Sequence, residues 1–206
     1  MTLANLTSLS GLSFPKLTSV ECINWSSLPM LKQLIFTNKV NASKWVYISD
    51  TSLLSLDGID PSVIEVFSIS NNPLLKNVNV SATIVNSQLI LSDNNPSLGV
   101  IFPNLVTALD ITLINTALVS FPKLKAVYSK LQFSRGSMKS LLMPTLTQIQ
   151  GNVQFTDNPL LVDLSMPWLS SIDGGFTIVN NSALMGMDFP ALNCTGGILI
   201  TGNFER

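Results

Sequence analysis

Apolar and polar positions alternate in short bursts along this chain, and the bursts themselves recur. The clearest copies are VQFTDNPLLVDLSMPWLSSIDGG from Val153, FTIVNNSALMGMDFPALNCTGG from Phe176 and ILITGN from Ile198. Each opens on alternating apolar positions (Val153, Phe155; Phe176, Ile178; Ile198, Ile200) and turns through an Asn/Asp-rich corner; the first two go on to an apolar-Pro-x-Leu segment and end on Gly-Gly. A phrase of roughly 22 residues written repeatedly is the signature of a stacked array. Followed toward the N-terminus, it yields one inward strand residue per coil: Ile48, Ile69, Leu91, Leu113, Phe133, Phe155, Ile178 and Ile200. A corner follows each, from SDTS after Ile48 through SNNP, SDNNP, INT, SRGS, TDNP and VNNS to TGN. Asn and Asp tolerate left-handed backbone and bond to nearby main chain, so a turn is predicted at one edge of every coil.

The other half of the coil carries its own mark. Phe102-Pro103-x-Leu105, Phe121-Pro122-x-Leu124, Met143-Pro144-x-Leu146, Met166-Pro167-x-Leu169 and Phe189-Pro190-x-Leu192 keep step with the strands, and Phe14-Pro15-x-Leu17 and Leu28-Pro29-x-Leu31 precede them. Proline has no N–H to give a ladder, so it belongs at a strand end or corner. The segment reads as a short strand, a Pro bend and an inward Leu. Period-2 alternation excludes a helical solenoid, which would space apolar residues three and four apart. The usual leucine-rich repeat signature is only approximated. The predicted fold is therefore all-β, a right-handed parallel β-helix of about 22 residues per coil, with stacking of about 4.8 Å per coil.

Such an array is one domain, here residues 1–206, because each coil packs only on its neighbours. Residues 1–45 interrupt the period and are expected to be irregular N-terminal coils, with regular coils over 46–206. The terminal NFER stops where another coil would start, and a C-terminal cap looks absent.

Composition sharpens this picture. Hydrophobic residues make up 46% of the chain and charged residues 11%, with a net charge of −1. No basic stripe exists to displace counterions, which argues against nucleic acid. No run of eighteen apolar residues spans a membrane. The N-terminus lacks the basic start and apolar centre of a signal peptide, leaving either an intracellular chain or a segment of a longer precursor. Sequons at Asn5, Asn24, Asn41, Asn79, Asn180 and Asn193 favour the second, as candidate N-glycosylation sites. Cys22 and Cys194 lie near opposite ends, too far apart in a linear stack for a disulfide.

Laid out in coils, the chain resembles the receptor L-domain family and, more closely, fungal GPI-anchored cell-wall proteins of wall organisation and sporulation. The residues carrying the resemblance are Phe14-Pro15-x-Leu17, Ile23-Asn24-Trp25, Leu28-Pro29, ISDTSLLSLDGIDP from Ile48, SISNNPLL from Ser68 and GGILITGNF from Gly196. It implies secretion, glycosylation and a lipid anchor carried by a parent protein outside these residues. An N-terminal signal, a Ser-rich tail and paired end-cap cysteines, all expected from the resemblance, are not found in the sequence.

Candidate chemistry is sparse. Asp50, Asp93 and Asp157 recur at the corner and could supply the carboxylate pair of a polysaccharide-degrading β-helix enzyme, yet turn formation explains them without catalysis. Without His, and with distant cysteines, a zinc site or a Ser-His-Asp triad cannot be assembled. No dense Asp loop for calcium is present. Gly174-Gly175 and Gly196-Gly197 precede strands and read as bends. No catalytic residue, metal ligand or cofactor is predicted. The outward positions Ser68, Gln132, Gln154, Thr177 and Leu199 form a neutral strip suited to a cell-wall polysaccharide or a cell-surface protein. Trp25, Trp45 and Trp168 are the candidate ligand contacts, since aromatic planes anchor interfaces. The leading expectation is a non-enzymatic extracellular surface protein, with a receptor-type L domain binding a protein ligand as the alternative.

Overall fold

A computed structural model describes residues 1–202. Among them every strand pairing is parallel. The long side of the coil builds one 12-stranded sheet along the whole stack. Its strands are Thr2–Ala4, Ser19–Leu28, Asn41–Thr51, Val63–Ser70, Ile84–Ser92, Thr107–Ile114, Ser171–Val179 and Cys194–Thr201, together with two coils in which the strand is split: Ala126–Val127 with Leu131–Ser134, and Gln148–Ile149 with Val153–Thr156. The molecule is a parallel β-solenoid.

The register reproduces the predicted inward row pair by pair, from Ile48↔Ile69 to Ile178↔Ile200. Alternation puts these residues from Ile48 to Ile178 and a second row (Val46, Phe67, Leu89, Ile111, Leu131, Val153, Phe176) into the core, each at most 3% exposed. Each such side chain contributes about 1.5–3 kcal/mol by leaving water. Rings stack between coils, as in Phe133 on Phe155 with centroids 5.2 Å apart.

The same rows extend into the first 45 residues. Leu3 pairs with Trp25 and Trp25 with Ile48, so the N-terminal coils are irregular in wording but regular in stacking. The pattern is hard to follow there because a Trp stands where the row elsewhere has Leu, Ile or Phe.

Each long strand bends where the register shifts, between Val20/Cys22, Ile64/Val66, Ala108/Asp110 and Ile172/Gly175. At this bend the coils approach so closely that a Cβ on Gly151 would lie 1.9 Å from Ser129 O, and one on Gly174 2.5 Å from Asn152 Oδ1. The Gly-Gly pairs lie inside the long strands Ser171–Val179 and Cys194–Thr201, at the register shift, rather than before them as the sequence suggests.

Two turns complete the coil. At the apolar-Pro-x-Leu phrase the Leu N–H closes on the residue before Pro, as in Leu124 N to Phe121 O at 3.3 Å and Leu169 N to Met166 O at 3.2 Å. Proline at the second position presets that turn. At the Asn/Asp corner one residue per coil is left-handed: Asn5, Ser27, Asp50, Asn71, Asp93, Asn115, Arg135, Asp157 and Asn180, all with φ of 53–62°. Leu28-Pro29-x-Leu31 follows the left-handed Ser27 and so belongs to this corner, not to the Phe-Pro series with which the sequence aligns it. Short strands form the remaining side in a two-stranded and two three-stranded ladders.

Candidate functional site

From the second coil on, the residue after the left-handed corner is buried, and four times it is an Asn: Asn72, Asn94, Asn158 and Asn181. Asn72 Oδ1 accepts from Thr51 N at 3.1 Å and Thr51 Oγ1 at 2.6 Å, and Asn94 Oδ1 accepts from Asn72 N at 3.1 Å. Asn158 Oδ1 takes Gly136 N at 2.9 Å, and Asn181 Oδ1 takes Asn158 N at 3.1 Å. Their amide NH2 groups donate to main-chain carbonyls such as Ile69 O and Phe155 O. Buried amides in a fully bonded ladder are structural: they satisfy backbone that the corner would otherwise leave unpaired.

The three corner carboxylates sit at the left-handed position itself, with φ of 56° at Asp50, 53° at Asp93 and 55° at Asp157. Asp157 Oδ1 accepts from Asn180 Nδ2 at 2.9 Å, and Asp93 Oδ1 from an Arg135 guanidinium nitrogen at 3.1 Å. The carboxylates occupy the turn position itself, and these two bonds tie it to other coils. Among the described residues no three His, Cys, Asp or Glu side chains gather as metal ligands, and no helix is long and apolar enough to cross a membrane.

The outer face of the 12-stranded sheet runs the length of the described stack. Asn24, Tyr47, Ser68, Ile90, Thr112, Gln132, Gln154, Thr177 and Leu199 stand in one row. Beside it run Ser26, Ser49, Ser70 and Ser92, and further along Ile114, Ser134, Thr156, Val179 and Thr201. Neither row contains a charged residue. Neighbours along each row are about 4.8 Å apart, the parallel-strand spacing.

The tryptophans fare differently. Trp25 is wholly buried in the inward row between Leu3 and Ile48, with its Nε1 unpartnered, and offers no face to a ligand. Its assignment as a contact is therefore corrected: the row that buries it begins earlier than the sequence pattern revealed. Trp45 is half-buried, with Lys44 Nζ 5.9 Å from its ring centroid. That lysine also pairs with Glu21, whose carboxyl is held below its ordinary range by the hydrogen bond and charge of Lys44. Trp168, at the tip of the Met166–Leu169 turn, is 66% exposed. Tyr47, which the sequence reading did not single out, is exposed on the neutral row. Its alternation with buried Val46 and Ile48 was the available signal.

Asn5, Asn24, Asn79, Asn180 and Asn193 are exposed, whereas Asn41 is half-buried and its Oδ1 accepts from Ser62 N at 3.2 Å. Cys22 is half-buried and Cys194 exposed, and both are free thiols.

An all-parallel solenoid with Asn-bonded corners and a neutral hydroxyl-and-amide face is the class of molecule these features define. The chain is homologous to fungal cell-wall and cell-surface GPI-anchored proteins. It is 38% identical over 164 residues to Protein ecm33 of Aspergillus fumigatus, covering 79% of this chain and 41% of that protein. It is 29% identical over 160 residues to the Cell wall protein ecm33 of Schizosaccharomyces pombe, covering 78% and 38%. To a Cell surface GPI-anchored protein of Arthroderma benhamiae it is 35% identical over 131 residues, covering 63% and 34%. The chain thus matches between 34% and 41% of the length of these relatives. No protein-family model and no solved structure matches it.

Proposed function

We propose that the chain is the solenoid module of a secreted, GPI-anchored fungal surface protein that organises the cell wall without catalysing a reaction. The observation that carries this is the neutral outer face, a continuous row from Asn24 to Leu199 of mostly hydroxyl and amide side chains on a rigid parallel sheet. A face of that kind suits a long neutral polymer such as a wall polysaccharide, whose hydroxyls exchange hydrogen bonds with Ser, Thr and Gln at repeated spacing. Two of the three relatives named above are called after the cell wall or after the cell surface and a GPI anchor, which supports this reading. Glycans on the five exposed sequons complete the proposal, with the one at Asn24 covering the N-terminal end of the row. The exposed Trp168 ring and Tyr47 are the side chains proposed to stack on sugar rings.

The test uses a fungal strain lacking its own relative and sensitive to a wall-binding dye. The full-length precursor containing this chain is expected to restore growth. A Gln132→Lys, Gln154→Lys, Thr177→Lys triple variant, present at the same surface level, is expected to restore less than half of it. Full rescue by the triple variant would remove the face from the proposal, and no rescue by the natural sequence would remove the wall role.

A further inference from the structure

One coil is shorter than the rest. From the left-handed corner to the apolar residue before the Pro bend the chain takes nine residues between Asp93 and Phe102 and between Asp157 and Met166, but six between Asn115 and Phe121. What is missing is the Asn-Pro-x-Leu turn. The shortened coil cannot reach the outer corner, so the coils on either side meet across it. Arg135 bonds Asp93 at 3.1 Å, and Ser137 Oγ donates to Pro96 O at 3.2 Å, contacts that skip a full coil.

The consequence lies on the short-strand side. Leu118–Ser120 ends one three-stranded ladder and Ser140–Leu142 begins the other, and these two strands do not pair. The stack is bonded before the gap, by Ser137 N to Thr116 O at 2.9 Å, and after it, by Thr145 Oγ1 to Leu124 O at 2.9 Å. Between those bonds lies a groove of about 640 Å³ lined by Leu118, Ser120, Pro122, Lys139, Ser140 and Leu142 among others. Leu118 is 52% and Leu142 57% exposed. Among the described residues Lys139 is the one charged side chain lining it.

We propose that this groove is a binding site for an extended polypeptide segment carrying an acidic residue. The edges of Leu118–Ser120 and Ser140–Leu142 that border the groove form no strand pairing with each other, and an unpaired strand edge is a template for another strand. Alternate side chains of such a strand would pack on Leu118, Leu142 and Pro122, and a carboxylate would meet Lys139. No aromatic ring is exposed in the groove for a sugar to stack on: Phe121, its one aromatic lining residue, is 1% exposed. Charge, apolar rim and free edges together favour peptide over polysaccharide. The site is separate from the neutral face, so its failure leaves that face untouched.

A displayed library of random seven-residue peptides, selected on the purified chain, tests it. Enriched sequences are expected to alternate apolar residues with one Asp or Glu, and to slow amide exchange at 118–120 or 140–142. Binding measured by fluorescence polarisation should weaken at least about tenfold on N-methylation of alternate peptide amides and in the exposed-site variant Leu142→Glu. Lys139→Glu should exchange the acidic preference for a basic one. The proposal is overturned by the absence of any peptide binding below about 1 mM, by binding indifferent to both substitutions, or by protection elsewhere. It is equally overturned if soluble β-glucan fragments bind the groove in place of peptides, or if the edges prove to be filled by a second copy whose dimer is lost in Leu142→Glu.

Discussion

Asn158 and Thr116 occupy the same place in their coils, one residue after the left-handed corner, and have opposite bonding fates. Asn158 is fully buried and bonds Gly136 N, Phe133 O and Asn181 Oδ1. Thr116 is just as buried, but its hydroxyl finds no partner, because it sits in the shortened coil and is too short to bridge. Asn158→Ala strands a buried N–H and a carbonyl and is expected to cost about 2–4 kcal/mol. Thr116→Val keeps the shape, removes an unsatisfied group and should be neutral or stabilise by about 1 kcal/mol. Urea midpoints of the two variants check the contrast; equal destabilisation would show that the Asn ladder bears no special weight. The Asn at these corners was legible as turn chemistry, since TDNP and VNNS read directly as corners. Its inward bonding was not, because a turn-forming Asn and a ladder-forming Asn look alike in sequence. Arg135 and Ser27 show the converse: their left-handed backbone is imposed by stacking on neighbours, not by their own preference.

At the scale of the coil, the strand rows were readable because period 2 and period 22 reinforce each other. Turns were read less well where two kinds share a spelling. Leu28-Pro29-x-Leu31 looks like Phe14-Pro15-x-Leu17, yet only the position of the preceding strand decides which corner it forms. The INT corner was visibly brief, but its effect on the next coil was not, because a deletion removes local residues while the gap opens between Leu118–Ser120 and Ser140–Leu142, the strands of two successive coils. Restoring length tests this account. Changing Thr116→Asn and inserting Asn-Pro-Ser between positions 116 and 117 rebuilds the missing turn. The lengthened coil is expected to let Leu118–Ser120 and Ser140–Leu142 pair, to protect their amides from exchange, and to separate Arg135 from Asp93. Unchanged exchange at 140–142 would mean that something other than coil length holds the groove open.

At the scale of the whole stack, a coil is shielded from water only where another coil lies against it. Inside the stack each coil covers the next, which is why the inward row from Trp25 to Phe155 is nearly free of solvent. In the last described strand, Cys194–Thr201, the same rows emerge: Ile198 is 59%, Leu199 52% and Ile200 39% exposed, and Met185 nearby 82%. That strand pairs with Ser171–Val179 and, among the described residues, with nothing on its other side. A flat apolar edge of this kind recruits other chains. The isolated 206-residue chain is therefore expected to self-associate with rising concentration, seen as faster sedimentation. Met185→Lys with Leu199→Lys should suppress this without altering the unfolding midpoint, because Leu199 lies on the outward row and Met185 in the open, and an edge lysine must be desolvated for a second strand to dock. Leu142→Glu, on the groove far along the stack, should leave the association unchanged. If instead the groove variant abolishes it and the edge variants do not, the two surfaces have exchanged roles, and the edge is innocuous in spite of its exposed Ile198 and Leu199.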